Sequence, residues 1–509
     1  MTNARLGKLK GLPFRPTQEQ AIDFINQSSK QYIAVRAPTG VGKTCLGFES
    51  IKQPFFYVCS SIPLQQQAED DYPESILLKG RGNYYCPDLG TADLCIQASP
   101  CDDCEYDRAK CAALSNPITI LNFHYFLHAA NFTQKFPLRN IIIDEADSIE
   151  SVLVGFISFE FTEAQLKWLG IMAEMPDKKT KISVMPRWLE LRHVEVEGVI
   201  EDIEPDVKDI IRRAKGQRIS KPDTIILKRW KALQSVEWKL RFLMGQDLSK
   251  NWIYKYEDWK KKINLKPIWL SRDLVDRFLL SHGDKFLFMS ATLPSKEVFC
   301  GMYGFKSEEV DYIDLPNVWD SEKRHVIYRP EYNLSFKNKN EETYGKVREA
   351  VVKIMDEQKG RGIIHTVSYQ LAEIIGKLNS GRLVLHSAGN KKDMFEYFKK
   401  KDGAIWVSPS STRGLDLPYD MCEWVVWLKA PFLHIQDPQV NARLYGSGKF
   451  GKVWYASDAV QSIIQGCGRG FRSEDDYCTV YMLDEQIGRL LKEQAKLFPM
   501  WFRDLVAYE

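Results

Sequence analysis

At 509 residues the chain is too long for one hydrophobic core, and two to four domains are expected. With 44% hydrophobic and 27% charged residues it has the composition of a soluble globular enzyme with little room for long disorder, and no apolar run approaches the roughly 20 residues that cross a bilayer. The net charge of +3 hides an asymmetry: residues 211–270 hold 16 Lys/Arg against 5 Asp/Glu, a local +11, so the remainder sums to −8, which points to a polyanionic partner.

The N-terminal stretch MTNARLGKLKG is basic but has no apolar core, so no secretory signal is read there, and a cytoplasmic, reducing location is expected. Cysteines in that setting are metal ligands more often than disulfides. FRPTQEQ (14–20) begins a helix with Pro16 in its first turn. Arg15 and Gln18 there read either as contacts to an adenine ring or as ordinary polar surface. QYIAVRAPTGVGKT (31–44) follows, in which the β-branched run Tyr32 to Val35 predicts a buried strand and Cys45 to Ser50 the start of a helix. Between them, Thr39, Gly40, Val41 and Gly42 form a loop whose N–H groups face an anion, Lys43 reaches terminal phosphates, and Thr44 offers its hydroxyl to Mg²⁺. Ala37 stands where such loops usually open with Gly. Pro54 to Ser61 and Ile76 to Gly80 predict further strands, with a helix starting at Leu64 and Gln65.

Five of the 11 cysteines (86, 95, 101, 104 and 111) fall within 26 residues of a loop-like segment carrying Pro87, Gly90 and Pro100. Thiolates grouped this way, with a Cys101-x-x-Cys104 pair, call for a metal; zinc or an iron–sulfur cluster would each accept four of them.

Ile118 to Leu127 resumes the strand-and-helix pattern, with His124 and His128 read as packed or surface residues. NIIIDEAD (140–147) supplies the second half of a nucleotide site. Its strand places Asp144 and Glu145 at a C-terminal strand end, where Asp144 holds Mg²⁺ and Glu145 orients and deprotonates the attacking water. From about 151 to 283 the alternation stops; Ile226, Trp230, Leu233, Leu240 and Met244 at helical spacing predict a helical insert. Trp230, Trp238, Trp252, Trp259 and Trp269 interleave with its basic excess, a combination suited to single-stranded nucleic acid, although at least half of them are expected in the insert's own core.

KFLFMSATL (285–293) ends in Ser290-Ala291-Thr292, and candidate strands at 325–329, 362–367, 382–387, 404–409, 422–429 and 477–483 predict a second doubly wound sheet with no phosphate loop of its own. It carries STRGLD (411–416) and QGCGRGFR (465–472) instead. Gln465, Arg469 and Arg472 share one face of a helix, either a surface face or a pair of arginine fingers aimed at phosphates on the other domain.

Taken in order, RPTQ, APTGVGKT, SSIPLQQQ, DEAD, MSATL, GIIHTVSY, TRGLDLP and QGCGRGFR resemble the motif series of a superfamily 2 DNA helicase of the iron–sulfur XPD/DinG family. KGRGNYYC (79–86) and the cysteine block, lying between the third and fourth of these, resemble that family's cluster domain. The resemblance implies an α/β fold of two RecA-like, doubly wound parallel-sheet motor domains. The first (1–80, 115–150 and 284–310) is interrupted by an iron–sulfur insert (81–114) and a helical Arch-like insert (151–283); the second spans 311–509. It further implies ATP and Mg²⁺ as cofactors, a [4Fe–4S] cluster on Cys86, Cys101, Cys104 and Cys111 with Cys95 spare, and Arg15 and Gln18 on the adenine. Asp416 and the Ser290-Ala291-Thr292 loop would couple nucleotide to strand. The implied activity is 5′→3′ translocation on single-stranded DNA by a monomer that opens forked or tailed duplexes, with no membrane partner. The chain is short for that group, as a bacterial or phage member would be. DEAD in place of DEAH, and Arg413 where Glu is common, resemble RNA-type proteins and keep an RNA or RNA–DNA hybrid remodelling helicase as one alternative. A redox-sensing DNA-binding protein with a vestigial ATPase is the other.

Overall fold

The computed structural model describes residues 7, 13–87, 89–95, 104–133, 136–172, 174–214, 219–318, 324–387, 389–409, 421–468 and 477–509. Cys101, Asp416, Arg469 and Arg472 lie outside them.

In the first lobe the chain forms β1 (Tyr32–Arg36), β2 (Phe55–Cys59), β3 (Ile76–Leu78), β4 (Ile118–Asn122) and β5 (Arg139–Asp144). It then leaves through an insert that contributes β6 (Phe159–Thr162), β7 (Trp252–Glu257) and β8 (Lys262–Pro267). It returns as β9 (Gly283–Ser290) and β10 (Val310–Asp314). The first sheet is parallel, in the order β10-β1-β9-β5-β2-β4-β3. β1 and β2 are buried at every position, which is why they read as unbroken apolar runs rather than alternations. Because β10 pairs with β1, the first sheet runs to Asp314, and a division after residue 310 passes through a strand.

The second lobe is also a parallel seven-stranded sheet. It contains β11 (Arg324–Tyr332), β12 (Gly362–His365), β13 (Leu383–Leu385), β14 (Ile405–Ser408), β15 (Trp424–Trp427), β16 (Cys478–Asp484) and β17 (Val506–Tyr508). Their order is β13-β14-β12-β15-β16-β11-β17. The two parallel sheets match the expected pair of doubly wound lobes; the edge strands β10 and β17 were not anticipated. No described helix is long and apolar enough to cross a membrane.

The insert is largely helical, as expected, and adds a small sheet that the sequence reading did not foresee. Its two long helices, Met185–Ala214 and Lys221–Met244, stand beside an antiparallel sheet, β6-β8-β7. WIYKYE and KINLKP do alternate, but over only six residues each and with lysines diluting the apolar face. Lys261, at a φ of 43°, turns the chain between them. The sheet reaches the second lobe: Lys255 pairs with Asp437 at 3.0 Å, the Gln439 amide donates to the Pro267 carbonyl at 2.7 Å, and the Trp269 indole N–H donates to Ser447 Oγ at 2.8 Å. At the other end, Cys86, Leu89 and Leu94 share a small core with Val207, Ile210, Leu227 and Trp230, which seats the cysteine segment on the long helices.

Candidate nucleotide site and strand channel

The register of the first sheet assembles the site. Arg36 lies opposite Ser290 and Asp144 opposite Met289, so the loop after β1, the SAT segment after β9 and the acidic pair after β5 sit side by side at the C-terminal edge. The Ala37 N–H donates to the Ser290 carbonyl at 3.1 Å, continuing the pairing into the phosphate loop. That loop closes at Gly42, whose φ of 84° is a left-handed conformation glycine adopts without a Cβ penalty. Lys43 and Thr44 then open the helix Lys43–Ser50, with its N-terminal N–H groups at the loop. A Cβ on Gly47 would meet Ile142 Cγ2 at 2.9 Å, so this glycine lets the helix lie directly on the sheet.

Thr44 and Asp144 meet through a residue that sequence reasoning missed. The Tyr57 hydroxyl donates to Asp144 Oδ2 at 2.6 Å and lies 3.3 Å from Thr44 Oγ1, with Tyr57 fully buried in the middle of β2. Burial first, and then the Asp144 charge, push its phenol well above the ordinary range, so it is a neutral donor. Nothing in FFYVC announces that its one hydroxyl faces the acidic strand. Thr44 and Asp144 are hard oxygen donors held together by one bridging group, a set that fits Mg²⁺. Glu145 follows in a left-handed conformation (φ 54°, ψ 45°) that costs a non-glycine residue on the order of 1–3 kcal/mol. Its N–H donates to Asp144 Oδ1 at 2.9 Å, and its carbonyl accepts from the Ser148 N–H and Oγ at 2.9 and 2.8 Å. The turn holds the first carboxylate and re-aims the second.

Gln18 is buried, and its amide donates to the Val41 carbonyl at 2.8 Å while its Oε1 accepts from the Arg15 N–H at 3.0 Å. Arg15 Nη1 donates to the Gly40 carbonyl at 3.2 Å. Both residues therefore brace the phosphate loop from its side.

From the second lobe comes Gln465, on the helix Gly448–Cys467. Its amide donates to Asp147 Oδ2 at 2.7 Å and lies 3.2 Å from Thr292 Oγ1. Asp147 Oδ1 accepts from Ser290 Oγ at 2.7 Å. The last residue of DEAD thus gathers the SAT segment and the facing lobe on its two oxygens, a role the sequence reading did not assign to it.

A cavity of about 1060 Å³ opens between the first lobe, the cysteine segment and the insert. Lys79, Arg81, Lys110 and Lys231 line it together with Tyr106 and Phe132. The Arg81 guanidinium sits 4.8 Å over the Tyr106 ring, and Lys231 donates to the Asp93 carbonyl at 2.6 Å. His128 also faces the cavity; burial, reinforced by Lys231 and Lys239, lowers its pKa and favours the neutral ring. Cations interleaved with ring faces are what a single strand requires.

Residues 351–505 match the helicase C-terminal domain family. A solved XPD helicase is 15% identical, with a TM-score of 0.63 over 98% of this chain and 100% of its own. The chain shares the fold of XPD helicases. An apo XPD structure (14% identity, TM-score 0.61) and Xpd4 of S. tokodaii (13%, TM-score 0.60) each match 97% of this chain over their full length. No curated protein sequence matches it.

Within this XPD-like fold, the described thiols of the cysteine segment are all free. Cys86 is buried and Cys95 packs against the same small core. Cys104 caps the helix Glu105–Ser115, its Sγ accepting from the Asp107 N–H at 3.3 Å, and Cys111 lies exposed two turns further on, on the same side. Thiols gathered in one short segment are the donor chemistry that a thiolate-bound metal group takes. Among the described residues, no three of these sulfurs lie within 4.8 Å of one another, as ligands of one ion do; the group that meets that test is His193, Glu197 and Glu237 in the insert.

The basic, Trp-rich stretch divides. Trp230 and Trp252 are buried, Trp238 packs among Phe132, Phe242 and Phe278, and Trp269 lies against Trp454 of the second lobe. Trp259 is 81% exposed. Lys260, Lys261 and Lys262 pair with Glu257, Glu163 and Glu160, so their charge is largely answered within the insert.

Proposed function

We propose that this protein is an ATP-dependent DNA helicase that moves 5′→3′ along single-stranded DNA as a monomer and opens forked or tailed duplexes. The observation that carries this reading is the seam at Asp147, where Gln465 of one lobe meets the acidic and SAT segments of the other. ATP lies between the lobes. The Lys43 side chain and the N-terminus of its helix hold the phosphates, and Arg15 and Gln18 set the loop beside the adenine. Thr44 and Asp144 would hold Mg²⁺, which would supply neutralisation of phosphate charge, and Glu145 orients the attacking water and takes its proton. Arg469 and Arg472 complete the site from the second lobe, and Asp416 answers to the bound nucleotide. Each closure and opening of the lobes advances the strand by changing the spacing between two grips on it.

The lined cavity beside the first lobe supports a channel through which one strand passes while its complement is turned away. Cys86, Cys101, Cys104 and Cys111 would hold a [4Fe–4S] cluster, with Cys95 as the spare; bound, the cluster would cross-link the segment and supply a one-electron redox centre.

Unwinding of matched 5′-tailed and 3′-tailed duplexes, with DNA and RNA tails and alongside iron and sulfide analysis, tests the reading. Opening of the 5′-tailed DNA alone, lost in Lys43→Ala while strand binding persists, is the expected result. Preference for RNA tails moves the protein to RNA remodelling, and absence of nucleotide turnover with intact DNA binding moves it to the redox-sensing class.

A further inference from the structure

Among the groups at the nucleotide site, the Tyr57 hydroxyl has no part in phosphate binding or water activation, yet it is the atom that joins the two metal-binding side chains. It lies 2.6 Å from Asp144 Oδ2 and 3.3 Å from Thr44 Oγ1, inside a strand with no solvent access. Asp144 has two oxygens and both are engaged, Oδ1 by the Glu145 N–H and Oδ2 by Tyr57. The carboxylate plane is therefore fixed from two sides before any ion arrives. The Thr44 hydroxyl comes from another element, the helix after the phosphate loop, and it meets the Tyr57 hydroxyl. The ring itself cannot drift, because Phe48 packs on it with a centroid distance of 5.1 Å.

We propose that Tyr57 is a positioning residue for Mg²⁺, its hydroxyl presetting the Thr44 and Asp144 oxygens to receive the ion. This rests on the ATP-site reading above. An oxygen ligand pair held in place loses less freedom when the ion binds, so removing the hydroxyl weakens metal loading without removing a metal ligand or a phosphate contact. The effect belongs to the metal dependence and not to nucleotide affinity as such.

The test titrates Mg²⁺ against binding of a fluorescent, non-hydrolysable ATP analogue, in wild type and in Tyr57→Phe, with EDTA as the metal-free arm. The expected result is a Mg²⁺ half-point raised about fivefold or more, with unchanged binding in EDTA and recovery of wild-type affinity at high Mg²⁺. The effect should disappear in an Asp144→Ala background, since Tyr57 acts through that carboxylate. An unchanged half-point, or an equal loss in EDTA, overturns the proposal. If wild type binds no nucleotide at all, it is the ATP-site reading that fails. Should Tyr57→Phe fold poorly, 3-fluorotyrosine at position 57 keeps the hydroxyl. Its ¹⁹F resonance must then move when Mg²⁺ is added to the nucleotide-bound protein, and a resonance that ignores Mg²⁺ refutes the role.

Discussion

Gln465 donates its side-chain amide to Asp147 Oδ2 across the seam between the lobes, at 2.7 Å. Asp147 accepts from Ser290 on its other oxygen, so a single carboxylate registers both the SAT segment and the position of the second lobe. A carboxylate suits the place because it only accepts, and both of its neighbours donate. Truncating one partner of such a pair leaves the other partly buried and unsatisfied, at about 1–3 kcal/mol. Gln465→Ala is expected to lower DNA-stimulated ATP turnover by roughly 10- to 100-fold with nucleotide binding retained. Turnover within twofold of wild type, measured with saturating DNA, would show that the contact is incidental to coupling.

The same seam shows which parts of the molecule could be read in advance. β1 and β5 are runs of apolar residues buried on both faces, and their ends carry the phosphate loop and the acidic pair, so pattern and chemistry coincided. The six-residue strands β7 and β8 carry Lys255, Lys262 and Lys266 on them, and their pairing is decided by packing on β6 and on the second lobe. β10 and β17 each pair on one side only, which leaves little apolar signal. Tyr57 and Asp147 illustrate a different limit. Their residue types were visible, but a hydrogen bond between distant segments depends on register, which no local pattern encodes.

Cysteine ligation separates by colour. Cys104 caps a helix, its Sγ accepting from the Asp107 N–H, whereas Cys95 packs against the small apolar core. Cys104→Ser is expected to give colourless, iron-poor protein and Cys95→Ser to stay brown, judged by visible absorbance and by iron and sulfide content of anaerobically purified samples. A colourless Cys95→Ser beside a brown Cys104→Ser would exchange their assignments.

Salt dependence locates the phosphate contacts. Lys79 and Lys110 face the cavity, and neither pairs with a carboxylate among the described residues. Lys260, Lys261 and Lys262 lie in the most basic stretch of the sequence, but each has an acidic partner. Neutralising Lys79 and Lys110 together should therefore flatten the logarithmic salt slope of single-strand binding by roughly 0.7 per lost contact, and neutralising Lys260 to Lys262 should leave it nearly unchanged. The reverse pattern would move the strand from the cavity to the tip of the β7–β8 hairpin.

Acid sensitivity should come partly from a histidine far from the nucleotide. His282 Nε2 lies 3.1 Å from Asn131 Oδ1. The Asn131 amide nitrogen donates to the Leu127 and Phe278 carbonyls at 2.8 and 3.0 Å, which fixes its oxygen toward the ring and makes Nε2 the donor. Burial lowers the His282 pKa below its ordinary 6.5, opposed by the Arg277 backbone. The unfolded chain therefore binds the proton more readily, and stability is lost as pH falls below about 6.5 toward the lower folded value, then levels off beneath it. Melting temperatures are expected to drop between about pH 7.5 and 5.5. His282→Gln keeps an N–H for Asn131 and cannot titrate, so its pH profile should be shallower than that of wild type in the same scan. Parallel profiles for the two proteins would place the acid response on other groups, with His128 and its neighbouring Lys231 and Lys239 the next to test.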